Sequence, residues 1–226
     1  MFCMVYALNN IDFQTVVCDY GALFGKDDIV LLGNNIFPEM NIFSETHGHS
    51  AILTSLMRLS LDKSIVIILA TTIVNDNVAY NSALVVDKGA FVGICDEIFT
   101  EKFARGNAIF YFCASVGKIA IILGGDILFA QVWSHFLGKD IVKIFHISDG
   151  EFCSSMLNMA QAVAIAVGCP VFSNFRNISI SVDNTGKIVQ MEIGILRPFI
   201  RRPSSGREYY TRKILPVIEE KANVER

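Results

Sequence analysis

Short apolar blocks separated by Gly, Asn, Asp and Ser dominate the chain, a pattern of strands buried on one or both faces. The sharpest block is Lys118–Leu123, isoleucine-rich and bounded by Gly117 on one side and Gly124-Gly125 on the other. From Asp126 to Leu137 the apolar spacing changes to three and four (Ile127, Ala130, Trp133, Leu137), which predicts a helix. Further strands are predicted at Cys3–Leu8, Asp28–Leu32, Ser64–Thr72, Tyr80–Val86, Ala90–Ile94, Ala108–Cys113, Asp140–Ile147, Cys169–Asn174, Ile178–Val182 and Lys187–Ile193. Ser50–Leu61 and Ser155–Val167 read as amphipathic or apolar helices, and Phe13–Leu23 as a weaker one. Asp87-Lys88-Gly89 is a hairpin signal, Ala114–Gly117 a turn onto the central strand, and residues 33–48 form a polar loop. No linker or repeat divides the pattern, so residues 1–226 are expected to form one domain.

Composition changes this picture in one respect. A hydrophobic content of 52% and a mean hydropathy of +0.46 exceed what a single core needs. Yet the longest apolar runs, Ser64–Val74 and Ala160–Phe172, fall short of the roughly 18–20 residues of a spanning helix. The start of the chain lacks a basic n-region and a cleavage site, so no signal peptide and no membrane are expected. The excess is read as core plus a large subunit interface.

A net charge of −3 argues against a general nucleic-acid binder. Cys3, Cys18, Cys95, Cys113, Cys153 and Cys169 form no metal-ligand spacing and are expected as buried free thiols in the cytoplasm. His47 and His49 form the one close histidine pair, with no Cys or acidic cluster beside it. No metal and no cofactor are expected.

A buried strand that breaks through Gly-Gly-Asp into a helix is a place where enzymes lift a nucleophile into a pocket. Here the turn offers Gly124, Gly125 and Asp126, and no nucleophile. Around it, Tyr80-Asn81-Ser82-Ala83 with Val86-Asp87 and Gly89 resembles the "Y-N-[ST]-A … [ID]-x-x-G" hairpin of the nitrilase, or carbon–nitrogen hydrolase, superfamily. Gly106, Ala108–Phe112 and Gly117-Lys118-Ile119-Ala120 resemble that family's entry to its nucleophile strand. Gly124–Phe129 sits where the family has "C-x-D-x-r-F", and Met159–Ala162 with Gly168–Asn174 resembles its helix–strand pair. The resemblance spans roughly residues 28–193. It implies a four-layer α-β-β-α sandwich and a homodimer, with the helices at 126–137 (Phe129, Trp133, Phe136) and 155–167 as its interface.

Family chemistry requires a Cys nucleophile, a Glu base and a Lys that steadies the oxyanion. Matched residue by residue, the nucleophile position is Gly124 and the lysine position is Glu97. The base position falls on Glu39 by wording or Asn34 by register. The resemblance therefore implies a catalytically inactive member, a pseudoenzyme serving as a small-molecule binder or partner subunit, and any ligand beside Glu97 would be neutral or cationic. The alternative is an active hydrolase with a relocated thiol at Cys95, Cys113 or Cys153. The bland reading of Asp126 is a helix N-cap, and that of Glu97 and Glu101 a solvated or salt-bridged carboxylate. Arg197–Lys213 carries six basic residues against Glu208, a net of five positive charges, interleaved with Phe199, Tyr209 and Tyr210. Residues 197–226 are read as a tail crossing to a partner subunit, in preference to a nucleic-acid-binding segment.

Overall fold

The computed structural model describes residues 4–8, 13–33, 39–40, 50–75, 77–176, 178–193 and 196–199, with 18, 19, 39, 40, 193 and 196–199 described by backbone alone. Strands β1 (Val5–Leu8), β2 (Ile29–Leu32) and β4 (Val66–Asn75) are parallel neighbours. Beyond β4, β5 (Val78–Asp87) and β6 (Ala90–Asp96) add antiparallel, and β3 (Glu39–Met40) pairs with the upper part of β4. The edge strand β13 (Leu196–Phe199) runs antiparallel to β1, making seven strands. A second sheet orders β12 (Ile188–Ile193), β11 (Ile178–Val182), β10 (Val171–Asn174), β9 (Lys143–Ile147), β8 (Gly117–Leu123) and β7 (Tyr111–Ala114).

Side-chain alternation builds three apolar layers. Val66, Ile68 and Ala70 face Ile119, Ile121 and Phe145 between the sheets. Ile67 and Leu69 face Leu53 and Leu56 of helix α2 (Ala51–Lys63). Ala120, Ile122 and Ile144 face Ala160, Val163 and Ala164 of helix α4 (Ser154–Val167). The expected four-layer α-β-β-α sandwich is thus present. The Lys88-Gly89 turn has positive φ at both residues (46° and 87°), the two-residue hairpin predicted.

Several boundaries move for identifiable reasons. Ser64 (φ 54°) closes α2 in the left-handed region, so β4 starts at Val66. Asp140 (φ 56°) is left-handed and delays β9 to Lys143. The helix expected over 126–137 is broken into a 3₁₀ turn (Gly124–Leu128), α3 (Ala130–Trp133) and a second turn (Ser134–Phe136), because Phe129 is extended (φ −104°, ψ 114°). Phe136, expected at an interface, is fully buried in the layer beneath α4. The first residues of the expected tail, Arg197–Phe199, belong to β13 in the chain's own sheet, and 200–226 lie outside the described residues.

Candidate functional site

β6 and β8 both end on the same side of the sandwich, and the chain turns there at Glu97 and at Gly124. The residues between the sheets alternate along β6, so Glu97 lies on the face of Cys95 and points toward the second sheet. Glu97 is 7% exposed. Its Oε1 accepts the backbone N–H of Gly125 at 3.0 Å, and its Oε2 accepts the side-chain amide of Asn81 at 2.8 Å. Its backbone is fixed as well, with Glu97 N–H donating to Asn81 O and Gly106 N–H donating to Glu97 O, each at 2.8 Å. The expectation of a solvated or salt-bridged carboxylate holds for Glu101, which is exposed, only as far as solvation. It fails for Glu97, which is buried and held by neutral donors because strand register carries it inward.

Gly124 has φ +50°, a region that side chains rarely adopt. A Cβ there would sit 2.8 Å from the Glu97 carboxyl carbon and closer still to Oε1. The Glu97 carboxylate therefore fills the space that a residue-124 side chain would need. Sequence matching named these two positions, and the structure brings them into contact.

Asp126 is buried, but it does not cap its own turn. Its two oxygens accept the backbone N–H groups of Ile98 and Phe99, each at 2.8 Å. The two chain turns thus clasp each other reciprocally: Glu97 takes an N–H from the 124–126 segment, and Asp126 takes two from the 97–99 segment. Burial, with the Glu97 charge as a lesser cause, pushes the Asp126 carboxyl above its ordinary value, partly offset by those two N–H bonds. A cavity beside it, bordered by Cys95, Ile98, Phe110, Ile121, Leu123 and Asp126, holds about 10 Å³, the room of one water.

His146 on β9 supports the turn from below. Its Nε2 lies 3.0 Å from the Gly124 carbonyl, which only accepts, so Nε2 carries the proton. Nδ1 then accepts from the Ser173 hydroxyl at 3.3 Å. Complete burial holds this imidazole neutral, with its pKa lowered to about 4.

The other sequence candidates scatter. The backbone of Glu39 pairs with Thr72, which in turn pairs with Asn81, so Glu39 stands in the sheet row that leads to Glu97. Asn34, His47, His49 and Cys3 lie outside the described residues. Cys95 and Cys169 are buried free thiols, as expected, and burial raises both, Cys169 to about 12. Cys113 is exposed on edge strand β7, opposite Lys118 at the far end of β8, roughly 15–20 Å of strand from Gly124. Cys153 is partly exposed at the start of α4, 3.2 Å from the Ser155 hydroxyl; that bond, with the Met156 N–H, holds its thiol below the ordinary range. Limiting iodoacetamide at neutral pH is expected to label Cys153 well before Cys95 and Cys169, as read by peptide mapping. Early labelling of Cys95 would contradict its burial.

Among the described residues no cluster of His, Cys, Asp and Glu could hold a metal, and no helix is long and apolar enough to cross a membrane.

No family profile and no curated protein matches the sequence. Solved structures do match the fold. Nit3 of Saccharomyces cerevisiae, a member of branch 10 of the nitrilase superfamily, superposes with a TM-score of 0.70 at 13% identity over 87% of this chain and 88% of that one. A CN-hydrolase superfamily protein of Xanthomonas campestris, with an arsenic adduct in its active site, gives 0.67 at 14% over 89% and 91%. A Nesterenkonia amidase of the nitrilase superfamily gives 0.69 at 9% over 87% and 88%. In that structure, of a mutant of the amidase, the acetamide moiety of fluoroacetamide is covalently added at the active-site cysteine. The chain has the nitrilase-superfamily fold.

Proposed function

We propose that this chain is a catalytically inactive relative of the carbon–nitrogen hydrolases that serves as a partner subunit. The observation that carries the reading is Glu97: its carboxylate occupies the space beside Gly124 and takes the Gly125 N–H. A nucleophile has no side chain to come from at residue 124, and a carboxylate in that position opposes a developing oxyanion. Ammonia release from a panel of aliphatic amides and nitriles should not exceed the no-protein background. Thiol-dependent turnover by the purified protein would refute the reading.

The partner surface is the uncharged helix α4 together with the turns before it. Leu128, Phe129, Leu137 and Ile165 are exposed there, Ile165 to 60%, and α4 carries no charged residue. Exposed apolar side chains beside an uncharged helix suit a homodimer, and the free thiols suit a reducing cytoplasm. Ile165→Glu with Leu128→Lys is expected to shift the sedimentation coefficient from dimer to monomer while leaving the circular dichroism unchanged. A monomeric wild type would contradict the dimer.

Cys153 favours a second reading, an active hydrolase with a relocated thiol. Its thiol is accessible, lowered, and on a loop that follows β9 at the Gly124 end of the sandwich. Any turnover found should then disappear in Cys153→Ser.

A further inference from the structure

Resting on the inactive reading above, we propose that the seat under Glu97 is a carboxylate-binding site whose resident ligand is the chain's own side chain, and that the ligand class it admits once that side chain is removed is a small monocarboxylate. Each carboxylate oxygen accepts one N–H, the Gly125 amide on Oε1 and the Asn81 amide on Oε2. Asn81 is itself 5% exposed, on the inter-sheet face of β5, so its donor is aimed from a rigid strand. Gly124 contributes no Cβ, and a Cβ there would collide with the bound carboxylate, so the space is shaped around that group. The charge is held by dipoles alone: among the described residues no Lys or Arg forms an ion pair with Glu97. The neighbouring Asp126 is spent on Ile98 and Phe99 and does not compete for either donor.

In the intact chain the tethered carboxylate outcompetes a free one, because it is present at a high effective concentration. Truncation of Glu97 to alanine removes Cγ and the carboxylate, the heavy atoms of acetate. The vacated seat should take acetate best, formate next, and propionate poorly, since its extra methyl meets the remaining Cβ.

The test is chemical rescue of Glu97→Ala, read as the thermal midpoint at constant ionic strength with chloride as the balancing anion. The variant is expected to melt roughly 4–8 °C below the wild type, for the loss of two charge-assisted bonds. About 0.1 M acetate should then raise its midpoint by roughly 3–5 °C for a dissociation constant on the order of 10 mM. The wild type should respond to acetate only as it does to chloride, and Glu97→Ala/Asn81→Ala should lose the acetate effect. An acetate response no larger than chloride, one equal in the wild type, or one undiminished in the double variant would overturn the proposal. Glu97→Ser, which removes the same carboxylate, serves if Glu97→Ala does not fold. If neither folds in chloride, folding in acetate supports the seat and failure to fold in acetate overturns it. Turnover by the wild type would sink the inactive reading without changing the rescue result, so the two failures are distinguishable.

Discussion

Gly124→Ala is expected to cost about 3 kcal/mol of stability, composed of a left-handed backbone penalty and the displacement of the Glu97 carboxylate from its two donors. In a chain of 226 residues this lowers the thermal midpoint by roughly 6–12 °C. The mechanism makes a sharper statement through a double-mutant cycle. In a Glu97→Ala background the colliding group is gone, and Gly124→Ala should cost only the backbone part, about 1 kcal/mol. The coupling of about 2 kcal/mol is therefore the measured signature of contact between the two positions. Additive costs would show that they do not touch. The same geometry governs attempts to place a thiol at residue 124. Gly124→Cys alone places a larger side chain against Glu97 and should destabilise at least as much as alanine. Gly124→Cys with Glu97→Lys replaces the carboxylate by a longer side chain that must swing aside to admit the thiol, and little turnover is expected without a base. Robust turnover by that pair would identify Glu39 as a working base in the row of Thr72 and Asn81.

Acid should weaken the fold through His146. The imidazole titrates near 6.5 in the unfolded chain and near 4 in the fold. Between those values the unfolded state binds more protons, so stability is complete above about pH 6.5 and is lost as pH falls toward 4. The loss reaches about 3 kcal/mol from this residue. Asp126 acts in the opposite sense, because its carboxyl is raised: its contribution is full at low pH and declines as pH rises through its folded value. Comparison of the pH profile of wild type with that of His146→Leu isolates the histidine. The variant should be less stable at pH 7, having lost the bonds to Gly124 O and Ser173, and its curve should be flatter between pH 4 and 6.5. An unchanged slope would mean that another group drives acid unfolding.

Much of this was legible in the amino-acid pattern, for physical reasons. Lys118–Leu123 is too short, too β-branched and too closely bounded by glycine to be anything but a buried strand. The Lys88-Gly89 pair between two apolar runs specifies its own turn. What misled was the segment after Gly125. Helical spacing persists through Ile127, Ala130 and Trp133, but an extended Phe129 resets the direction of the chain and sends Phe136 inward, a tertiary effect that spacing does not encode. Residues 97 and 124 were singled out by the resemblance alone, whereas their contact was not legible, since a 27-residue gap hides which faces meet. Asn81 stood in a quoted motif but carried no expected role. Its alternation with Ala83 and Val85 was the available signal that it faces the inter-sheet core. His146, a polar side chain within the apolar run of residues 144–147, gave a similar signal through its alternation against Phe145 and Ile147.

Intact-protein mass spectrometry under single-turnover conditions tests the central claim most directly. Wild-type protein is mixed with excess activated amide substrate and quenched in acid at early times. With Glu97 seated beside Gly124 and no side chain at residue 124, the protein mass should remain unmodified at every time point. A substrate-derived acyl adduct that forms and decays, and maps to any cysteine, would contradict the account.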